Sequence, residues 1–368
     1  MTSIPEWPRA PHEITVEWLS LALREAGVLG EALIESAAVE AIGDLGGVNG
    51  ETYRVRIEYA GSAVEAPRSL VAKFPADRAG ARGVAAFQHW YEREVSFYTT
   101  LAATSRIRTP RCYAASIDPT SAPSGDYVLL LEDLRPRPQG DQIAGCTVEE
   151  ARAAIEAAAA LHARWWHTPP PVGDAMPETT IGLNRAARVQ GALARVWERT
   201  RQLVPMPASL AARIPALVKG YVPLLHRMAC APVTVVHGDY RLDNLFFDDR
   251  PSGGIEVTAI DWQFVCRCRG MYDVGYFLGL DLEPDVRRAH ERALIDAYLD
   301  ALRAGGVEGY DAAEAWDDYR RALLLGFAVF LIGAAAEQPN DRMVRVHEVG
   351  LARLAAAIEE TGAFEVLD

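Results

Sequence analysis

The N-terminal part of the chain shows two hydrophobic periodicities. Residues 37–60 alternate apolar and polar positions on both sides of a glycine-rich turn, and the run SLVAKF that follows does the same, which predicts three short antiparallel strands. Two further apolar runs, 109–118 and 126–134, flank a Pro/Ser/Gly turn and predict two more strands. Apolar residues recur at helical spacing over 84–103. We therefore expect residues 38–135 to form a five-stranded antiparallel sheet with one long helix.

After residue 138 the pattern becomes helical. Thr147 and Glu150 form a T-x-x-E capping box ahead of an alanine-rich helix. Long helical patterns recur near residues 184–200, 207–228, 284–304, 310–337 and 341–360. The strand-rich exception is 234–262, where two apolar runs flank a turn and predict a β-hairpin.

Together these elements predict an α+β chain of two lobes. A smaller mixed lobe covers residues 1–135 and carries an N-terminal helical extension at about 14–27. A connector near 132–138 leads into a larger, mainly helical lobe over 136–368 that contains the hairpin. A chain of 368 residues is long enough for two such packed units.

Composition and charge exclude several classes of protein. Half of the residues are apolar, which indicates a globular chain, and the net charge of −13 argues against a binder of nucleic acid or of anionic membranes. The five Cys residues form no C-x-x-C pair, which disfavours a disulfide framework and a zinc site. The N-terminus resembles no signal peptide, and the longest apolar run, 322–336, is too short to span a membrane. We expect a cytoplasmic protein.

A cluster of polar side chains follows the apolar run at 234–236 and precedes the first apolar run of the predicted hairpin. His237, Asp239 and Asn244 have the spacing H-x-D-x-x-x-x-N. The catalytic loop of protein kinases has the same spacing, and there the Asp orients and deprotonates the attacking hydroxyl while the Asn holds magnesium. Asp261 ends the next apolar run, and a hairpin would return it to Asn244. Oxygen ligands of this kind suit Mg²⁺.

A phosphoryl-transfer site also needs a cation that reaches the phosphates and a carboxylate that holds this cation. Lys73 lies in the apolar run LVAKF, and it is one of only two Lys residues among 37 basic residues. Its helical partner is expected to be Glu94, although helical phase alone leaves Glu92 possible. A glycine-rich segment one strand earlier lies where a phosphate-covering loop belongs, and its candidate phosphate contacts are Gly46, Gly47, Asn49 and Gly50.

These motifs resemble the aminoglycoside phosphotransferase and choline kinase group of kinase-like enzymes. The resemblance is carried by HGDYRLDN, IDWQ, LLLEDL and AALHARWW, and it extends from about residue 38 to about 335. The aromatic-Gln step in DWQ is similar to the bacterial relatives of the ecdysteroid kinases. The glycine-rich segment departs from the protein-kinase pattern G-x-G-x-x-G, which leaves open which of its amides contact phosphate.

The resemblance implies a bilobal protein-kinase-like fold that binds ATP and Mg²⁺ and phosphorylates a hydroxyl of a small molecule. By the same resemblance, Asp239 is the catalytic base, Asn244 and Asp261 bind magnesium, and Lys73 and Glu94 form the ion pair that holds the phosphates. Backbone groups of Glu132 and Leu134 would contact adenine. The acceptor, either a cationic amine-bearing alcohol or a lipophilic one, stays open, as do the preference for ATP or GTP and the oligomeric state.

Other polar residues near the motif are expected to be structural. We interpret His237 as a brace for the loop, Asp243 as a turn former, Asp273 as a helix cap that supports the site, and His162 as a core histidine. Two functions of other classes remain: a catalytically inactive kinase-like binding module, and a metal-dependent hydrolase that uses His237, Asp239 and Asp261 as ligands. The presence of the Lys, base and metal positions disfavours the first, and a single His is poor for zinc.

Overall fold

The computed structural model describes residues 7–42, 50–61, 66–118, 125–171, 173–200, 206–251, 253–336 and 340–367. The chain divides into two compact units. The first consists of Met1–Thr104 and Thr109–Pro136, and the second consists of Ser105–Arg108 and Arg137–Asp368.

The first unit is built on a five-stranded antiparallel sheet, as the sequence predicts. Its strands are β1 (Ile34–Ala41), β2 (Gly50–Tyr59), β3 (Ser69–Pro75), β4 (Cys112–Ile117) and β5 (Tyr127–Glu132). Their order across the sheet is β1-β2-β3-β5-β4, and each neighbouring pair is antiparallel. The central strands β3 and β5 therefore have a partner on each side, and Leu70, Ala72, Leu129 and Leu130 on them are fully buried.

A first helix, α1 (Val16–Glu25), begins at the N-cap Thr15, whose hydroxyl accepts a hydrogen bond from the Trp18 N–H at 3.2 Å. Its apolar residues Leu19 and Leu23 are buried in one hydrophobic cluster with Val55 and Leu70 of the sheet. This helix corresponds to the N-terminal extension that the sequence predicts.

The helical segment that follows β3 is interrupted, which the hydrophobic pattern does not indicate. Helix α2 (Ala79–Gln88) ends at His89, and α3 (Trp90–Ser96) begins directly after it. His89 adopts the left-handed conformation, with φ 56° and ψ 35°. Only Gly and sometimes Asn or Asp favour this conformation, so a His gives no sequence signal for the break. A π-helical turn, Phe97–Leu101, continues α3.

The second unit is mainly helical. Its helices are α4 (Val148–Arg164), α5 (Ala186–Thr200), α6 (Ala208–Ala229), α7 (Met271–Asp281), α8 (Pro284–Ala304), α9 (Ala312–Ala334) and α10 (Asp341–Thr361). The capping box of Thr147 and Glu150 is present at the start of α4, as the sequence predicts. In the part of the chain that the structure describes, no helix has the length and apolar character to cross a membrane.

The hydrophobic periodicity of the sequence does not indicate helix α7. All of its residues from Met271 to Asp281 are buried, so it has no polar face and no amphipathic pattern. It packs against α9 and α10. Because α7 is enclosed, the polar residues that it carries are held at fixed positions, and two of them belong to the site described below.

Two short two-stranded sheets complete the second unit. Strand β7 (Leu245–Asp249) pairs with β8 (Ile255–Ala259) in the antiparallel hairpin that the sequence predicts. Strand β6 (Thr234–Val236), which precedes the polar cluster, pairs instead with β9 (Cys266–Cys268). The chain from 237 to 244 therefore forms a loop whose two ends are each fixed by a different sheet.

Candidate active site

The backbone at the start of this loop is held by a carboxylate of α7. Asp273 accepts hydrogen bonds from the N–H groups of His237, at 2.7 Å, and Gly238, at 2.9 Å. Its Oδ2 also lies 3.2 Å from Nε2 of the buried His162, whose Nδ1 lies 2.9 Å from the hydroxyl of Tyr298. The interpretation of Asp273 as a helix cap is wrong, because it lies inside α7, in its first turn, and its acceptor oxygens bind the loop instead.

His237 uses both ring nitrogens within the loop region. Its Nδ1 accepts the N–H of Asp239 at 3.2 Å, so Nε2 carries the proton and donates to the carbonyl of Ile260 at 2.8 Å. The ring is fully buried. Because both ring nitrogens are in hydrogen bonds, His237 stabilises the loop and has no lone pair left to bind a metal. The hypothesis of a metal-dependent hydrolase therefore loses one of its three ligands.

Gly238 is required by the backbone at this position. Its φ is +85°, and a Cβ atom built on it would lie 2.2 Å from the carbonyl oxygen of Phe264. A side chain at residue 238 would therefore meet both backbone strain and a contact with a main-chain oxygen. The loop can pass this close to residue 264 only because residue 238 has no side chain.

The carboxylate of Asp239 is oriented by three donors. Its Oδ1 accepts a hydrogen bond from the Tyr276 hydroxyl at 3.0 Å. Its Oδ2 accepts hydrogen bonds from Nδ2 of Asn244 at 3.0 Å and from Nε of Arg241 at 3.1 Å. Burial and the charge of Asp239 raise the pKa of Tyr276 well above its usual value, so this hydroxyl stays a donor. The base predicted from the sequence thus has a single orientation.

The hairpin brings Asn244 and Asp261 to the same end, as the spacing predicts. Leu245 of β7 pairs with Ala259 of β8, and the N–H of Ile260 donates to the carbonyl of Asn244 at 2.9 Å. Asp261 follows directly and adopts a left-handed conformation with φ 64°.

The chemistry of this pair suits magnesium. Asn244 donates from Nδ2 to Asp239, so its Oδ1 is the atom that can act as a ligand, and Asp261 supplies a carboxylate at the same end of the hairpin. Across the described ranges no group of three or more His, Cys, Asp or Glu side chains could hold a metal. A pair of oxygen ligands fits a cation that usually completes its shell with phosphate and water, as Mg²⁺ does.

Asp243 has more partners than the predicted turn former needs. Arg342 of α10 donates from Nη1 and Nη2 to its two carboxylate oxygens, each at 2.8 Å, and the Gln142 N–H donates at 3.0 Å. Burial alone would raise the pKa of Asp243, but the hydrogen bond from Arg342 and the charge of Arg241 outweigh it and lower the pKa. Asp243 is therefore a largely buried carboxylate, with 10% exposure, that joins the loop to α10.

Among the residues that contact the motif, Arg241, Tyr276 and Arg342 were not predicted from the sequence. Arg241 lies two positions after the base, so its charge beside Asp239 was a usable signal. Tyr276 and Arg342 come from α7 and α10, and nothing in the local sequence links either of them to the loop.

In the first unit the structure joins Lys73 to Glu94. Lys73 lies opposite Thr52 of β2 and Leu129 of β5, so it occupies a central strand. Its Nζ lies 2.6 Å from Oε1 of Glu94, whose side chain is fully buried. Glu92, the alternative that helical phase left open, lies instead 3.8 Å from Nδ1 of His89.

The other predicted nucleotide contacts are described only in part. Gly46, Gly47 and Asn49 lie outside the described residues, and Gly50 begins β2, where it pairs with Pro75. Glu132 ends β5 and donates its N–H to the carbonyl of Arg111 at 2.8 Å. The N–H of Glu132 is therefore engaged between β5 and the residue that precedes β4, and Leu134 is buried.

The fold and this loop define a kinase-like phosphotransferase. A family model described as "Phosphotransferase enzyme family" (APH) matches residues 43–316, which is well over half of the chain. The chain belongs to this family. No curated protein matches it.

Several solved structures share the fold at low sequence identity. The chain is similar to a putative aminoglycoside phosphotransferase from Ralstonia eutropha JMP134, with 15% identity, TM-score 0.52, and coverage of 94% of this chain and 98% of that one. It is similar to the GDP and kanamycin complex of APH(2")-IIia, with 13% identity, TM-score 0.54, and coverage of 95% and 99%. A third structure is choline kinase from Cryptosporidium parvum Iowa II, with 10% identity, TM-score 0.53, and coverage of 89% and 91%. At identities this low, the similarity shows the fold alone. It confirms the predicted α+β kinase-like architecture.

Proposed function

We propose that this phosphotransferase moves the γ-phosphoryl group of ATP to a hydroxyl of a small molecule, with Asp239 as the general base. The main support for the proposal is the geometry of the Asp239 carboxylate. Three hydrogen-bond donors, one of them Asn244, hold it in one orientation. Positioning contributes much of the catalysis of phosphoryl transfer. A base with one fixed orientation suits that task.

Each described part of the second unit has a role in this proposal. Asp239 accepts the proton of the acceptor hydroxyl as its oxygen attacks phosphorus. Asn244 and Asp261 would hold Mg²⁺, whose charge stabilises the phosphates when it is bound. Asp273 and His237 keep the loop in shape, through the backbone N–H groups and the Ile260 carbonyl that they bind.

In the first unit, we propose that Lys73 binds the phosphates of ATP. Its ammonium is held by the buried carboxylate of Glu94 at 2.6 Å, which fixes a compact cation on a central strand. The glycine-rich segment with Gly46, Gly47 and Asn49 would cover the phosphates. Backbone groups of Glu132 and Leu134 would contact adenine.

The acceptor is proposed only as an alcohol. Relatives of known fold are named for aminoglycosides and for choline, which are hydroxyl-bearing cations. The acidic balance of this chain, with a net charge of −13, is compatible with such a substrate. The similarity of DWQ to the ecdysteroid-kinase relatives favours a lipophilic alcohol instead. A screen of alcohols from both classes for ATP consumption would identify the acceptor class.

The test of the proposal is turnover of Mg·ATP by the purified protein, with the best alcohol of the screen or with water as the acceptor. We expect turnover that requires Mg²⁺ and falls on the order of 10²-fold or more in Asp239→Asn, while ATP affinity by calorimetry stays nearly unchanged. Asp249→Asn is the matched control, because Asp249 is an exposed carboxylate on the same hairpin. If Asp239→Asn lost ATP affinity and turnover equally, Asp239 would not be the base. If the purified protein cleaved esters without nucleotide, the result would favour a hydrolase. GTP in place of ATP tests the nucleotide preference.

A further inference from the structure

The first residue after strand β5 carries a carboxylate that binds two other strands of the sheet. Oδ2 of Asp133 accepts a hydrogen bond from Nε of Arg54 on β2, at 2.7 Å, and another from the hydroxyl of Ser69 on β3, at 2.5 Å. The side chain of Asp133 keeps 7% of its exposure, and that of Arg54 keeps 13%. The chain just beyond β5 is therefore tied to β3 and, across it, to β2.

The other oxygen of Asp133 binds the connector itself. Oδ1 accepts the backbone N–H of Arg135 at 3.2 Å, two positions further along the chain. A carboxylate that binds the N–H two residues later closes an Asx turn, which restricts the backbone of the residue in between. That residue is Leu134, whose side chain is buried. One carboxylate thus fixes the course of the chain on both sides of Leu134.

The sheet does not need this carboxylate for its own pairing. Strand β5 ends at Glu132, which pairs with Leu70 of β3, and β2 and β3 are joined by a ladder of their own. A buried ion pair is in general a weak source of stability, because both charges lose their solvation. Asp133 lies at the point where the ladder of β5 stops. This position indicates that its contacts hold the connector.

Asp133 accepts all three hydrogen bonds as an ionised group. Burial alone would raise the pKa of Asp133, but the hydrogen bonds from Arg54, Ser69 and the N–H of Arg135 outweigh burial and lower the pKa. An ionised carboxylate accepts at both oxygens and donates from neither, so the three contacts can exist together. Hydrogen bonds to a charged group are also the stronger kind, which favours a rigid connector.

Recognition of a nucleotide by main-chain groups depends on the course of the backbone. A side chain can rotate to follow a ligand, whereas N–H and C=O groups keep the direction that the chain gives them. A hydrogen bond weakens steeply as its angle departs from linearity. In the proposed function, backbone groups of Glu132 and Leu134 contact adenine. Such a site needs a rigid support behind the groups that touch the ligand.

On the basis of that function, we propose that Asp133 is a positioning residue for adenine: its carboxylate holds the backbone of residues 132–135 in the conformation that receives adenine, and Arg54 acts through Asp133. Neither side chain touches the nucleotide. Their contribution is to the affinity for ligands that carry adenine, because a connector that is fixed in advance avoids the entropic cost of ordering it on binding. Phosphate binding by Lys73 should not depend on them.

The experiment compares ligands with and without adenine. The proteins are the wild type, Asp133→Ala, Arg54→Gln and the double variant, with Asp133→Asn as the conservative change. Arg56→Gln is the matched control, because Arg56 lies on the same strand β2 in an exposed pair with Glu40. Calorimetry gives the affinities for Mg·ADP and for magnesium tripolyphosphate, which has the phosphates but no adenine. Steady-state kinetics give kcat and KM for Mg·ATP, and thermal unfolding checks that each variant is folded.

We expect Asp133→Ala to weaken Mg·ADP binding and to raise KM for Mg·ATP roughly 10-fold, the scale of one hydrogen bond, with kcat and the affinity for tripolyphosphate within about 2-fold of wild type. Arg54→Gln should weaken Mg·ADP binding about 5-fold, and this loss should vanish in the Asp133→Ala background, because both act through one carboxylate. Asp133→Asn keeps an oxygen for the N–H of Arg135 and should recover part of the affinity. Arg56→Gln should match wild type.

Several outcomes would overturn the inference. If Asp133→Ala weakened tripolyphosphate binding as much as Mg·ADP binding, the loss would reflect a general distortion of the first unit. If the two single losses multiplied in the double variant, Arg54 would not act through Asp133. Should Asp133→Ala fail to fold, an Arg54→Gln variant that folds and binds Mg·ADP as tightly as the wild type would refute the inference with equal force. A wild-type protein that binds Mg·ADP but does not consume Mg·ATP would instead refute the proposed phosphoryl transfer, and the comparison of affinities would still decide the role of Asp133.

Discussion

The side chain of Asp239 shows how the site is determined at the scale of single residues. A carboxylate has rotational freedom on its own, but here Tyr276 binds one oxygen while Asn244 and Arg241 bind the other. The motif spacing predicted Asp239 and Asn244 as site residues. It could not predict Tyr276, because that contact depends on how α7 packs and not on any local pattern.

Lys73 gives a prediction at the same scale. In a chain with two Lys and 35 Arg among its 37 basic residues, Lys73 is expected to resist replacement by Arg, because a compact ammonium suits a slot beside Glu94 better than a planar fork. We expect Lys73→Arg to lower kcat/KM for ATP roughly 10-fold or more, which is about 1.4 kcal/mol of transition-state stabilisation.

Lys219→Arg is the control for Lys73, because Lys219 is exposed on α6. Steady-state kinetics on the two variants decide the matter. Similar behaviour of the two would make Lys73 an ordinary strand residue.

At the scale of elements, the loop of residues 237–244 depends on one close approach between two backbone segments. The loop lies between β6 and β7, and Gly238 passes close to residue 264, which lies just before β9. Gly254, in the turn between β7 and β8, has the same φ of +85°, but a Cβ built there meets nothing within 4 Å. A comparison of the two glycines therefore distinguishes the free-energy cost of a side chain at positive φ from the cost of its contact with the Phe264 carbonyl.

We expect Gly254→Ala to lower the free energy of unfolding by about 1–2 kcal/mol, the cost of a positive φ for a residue with a side chain. Gly238→Ala should cost at least about 2 kcal/mol more, because the new methyl group meets the Phe264 carbonyl and main-chain atoms cannot move aside cheaply. Urea unfolding of both variants measures the difference. Equal losses would mean that the loop and residue 264 separate easily.

The sequence predicted elements and contacts to different extents, and the physical reasons differ. The β7–β8 hairpin was predictable because strand alternation and a turn are local signals. Helix α7 was not, since a fully buried helix has no polar face. Glu94 could be separated from Glu92 only by the break at His89 and the packing of α3. Arg342 reaches Asp243 across 99 positions, a separation that no motif spans.

At the scale of the whole molecule, the candidate site includes contacts from a part of the chain that lies beyond the residues matched by the family model. The family model ends at residue 316, whereas α10, which carries Arg342, covers Asp341–Thr361. Contacts from α10 nevertheless reach Asp243 and, through Arg353, the carbonyl groups of Gln142 and Leu280. The last helix is therefore part of the framework of the site.

Ligand binding should be visible in the stability of the whole chain. A nucleotide that binds only the folded state adds about 2.7 kcal/mol at 100 times its Kd, so Mg·ATP should raise the Tm of the wild type by several degrees. Asp261→Ala should remove this shift, because the metal contact is the proposed role of Asp261. Differential scanning calorimetry with Mg·ATP, and with ATP and EDTA, measures it.

Asp249→Ala, from the same hairpin, is the control for Asp261→Ala and should keep the full shift. A full shift in Asp261→Ala itself would exclude Asp261 as a ligand.

The pair of lysines has a consequence for chemical labelling. Lys219 is exposed, whereas the side chain of Lys73 keeps 11% of its exposure and lies against Glu94. An amine-directed reagent thus has two side-chain targets in the chain, and they differ in accessibility. Mass spectrometry of the acylated protein would resolve them as two separate rates. The slower rate would report directly on whether the Lys73 amine is covered, without any knowledge of the acceptor.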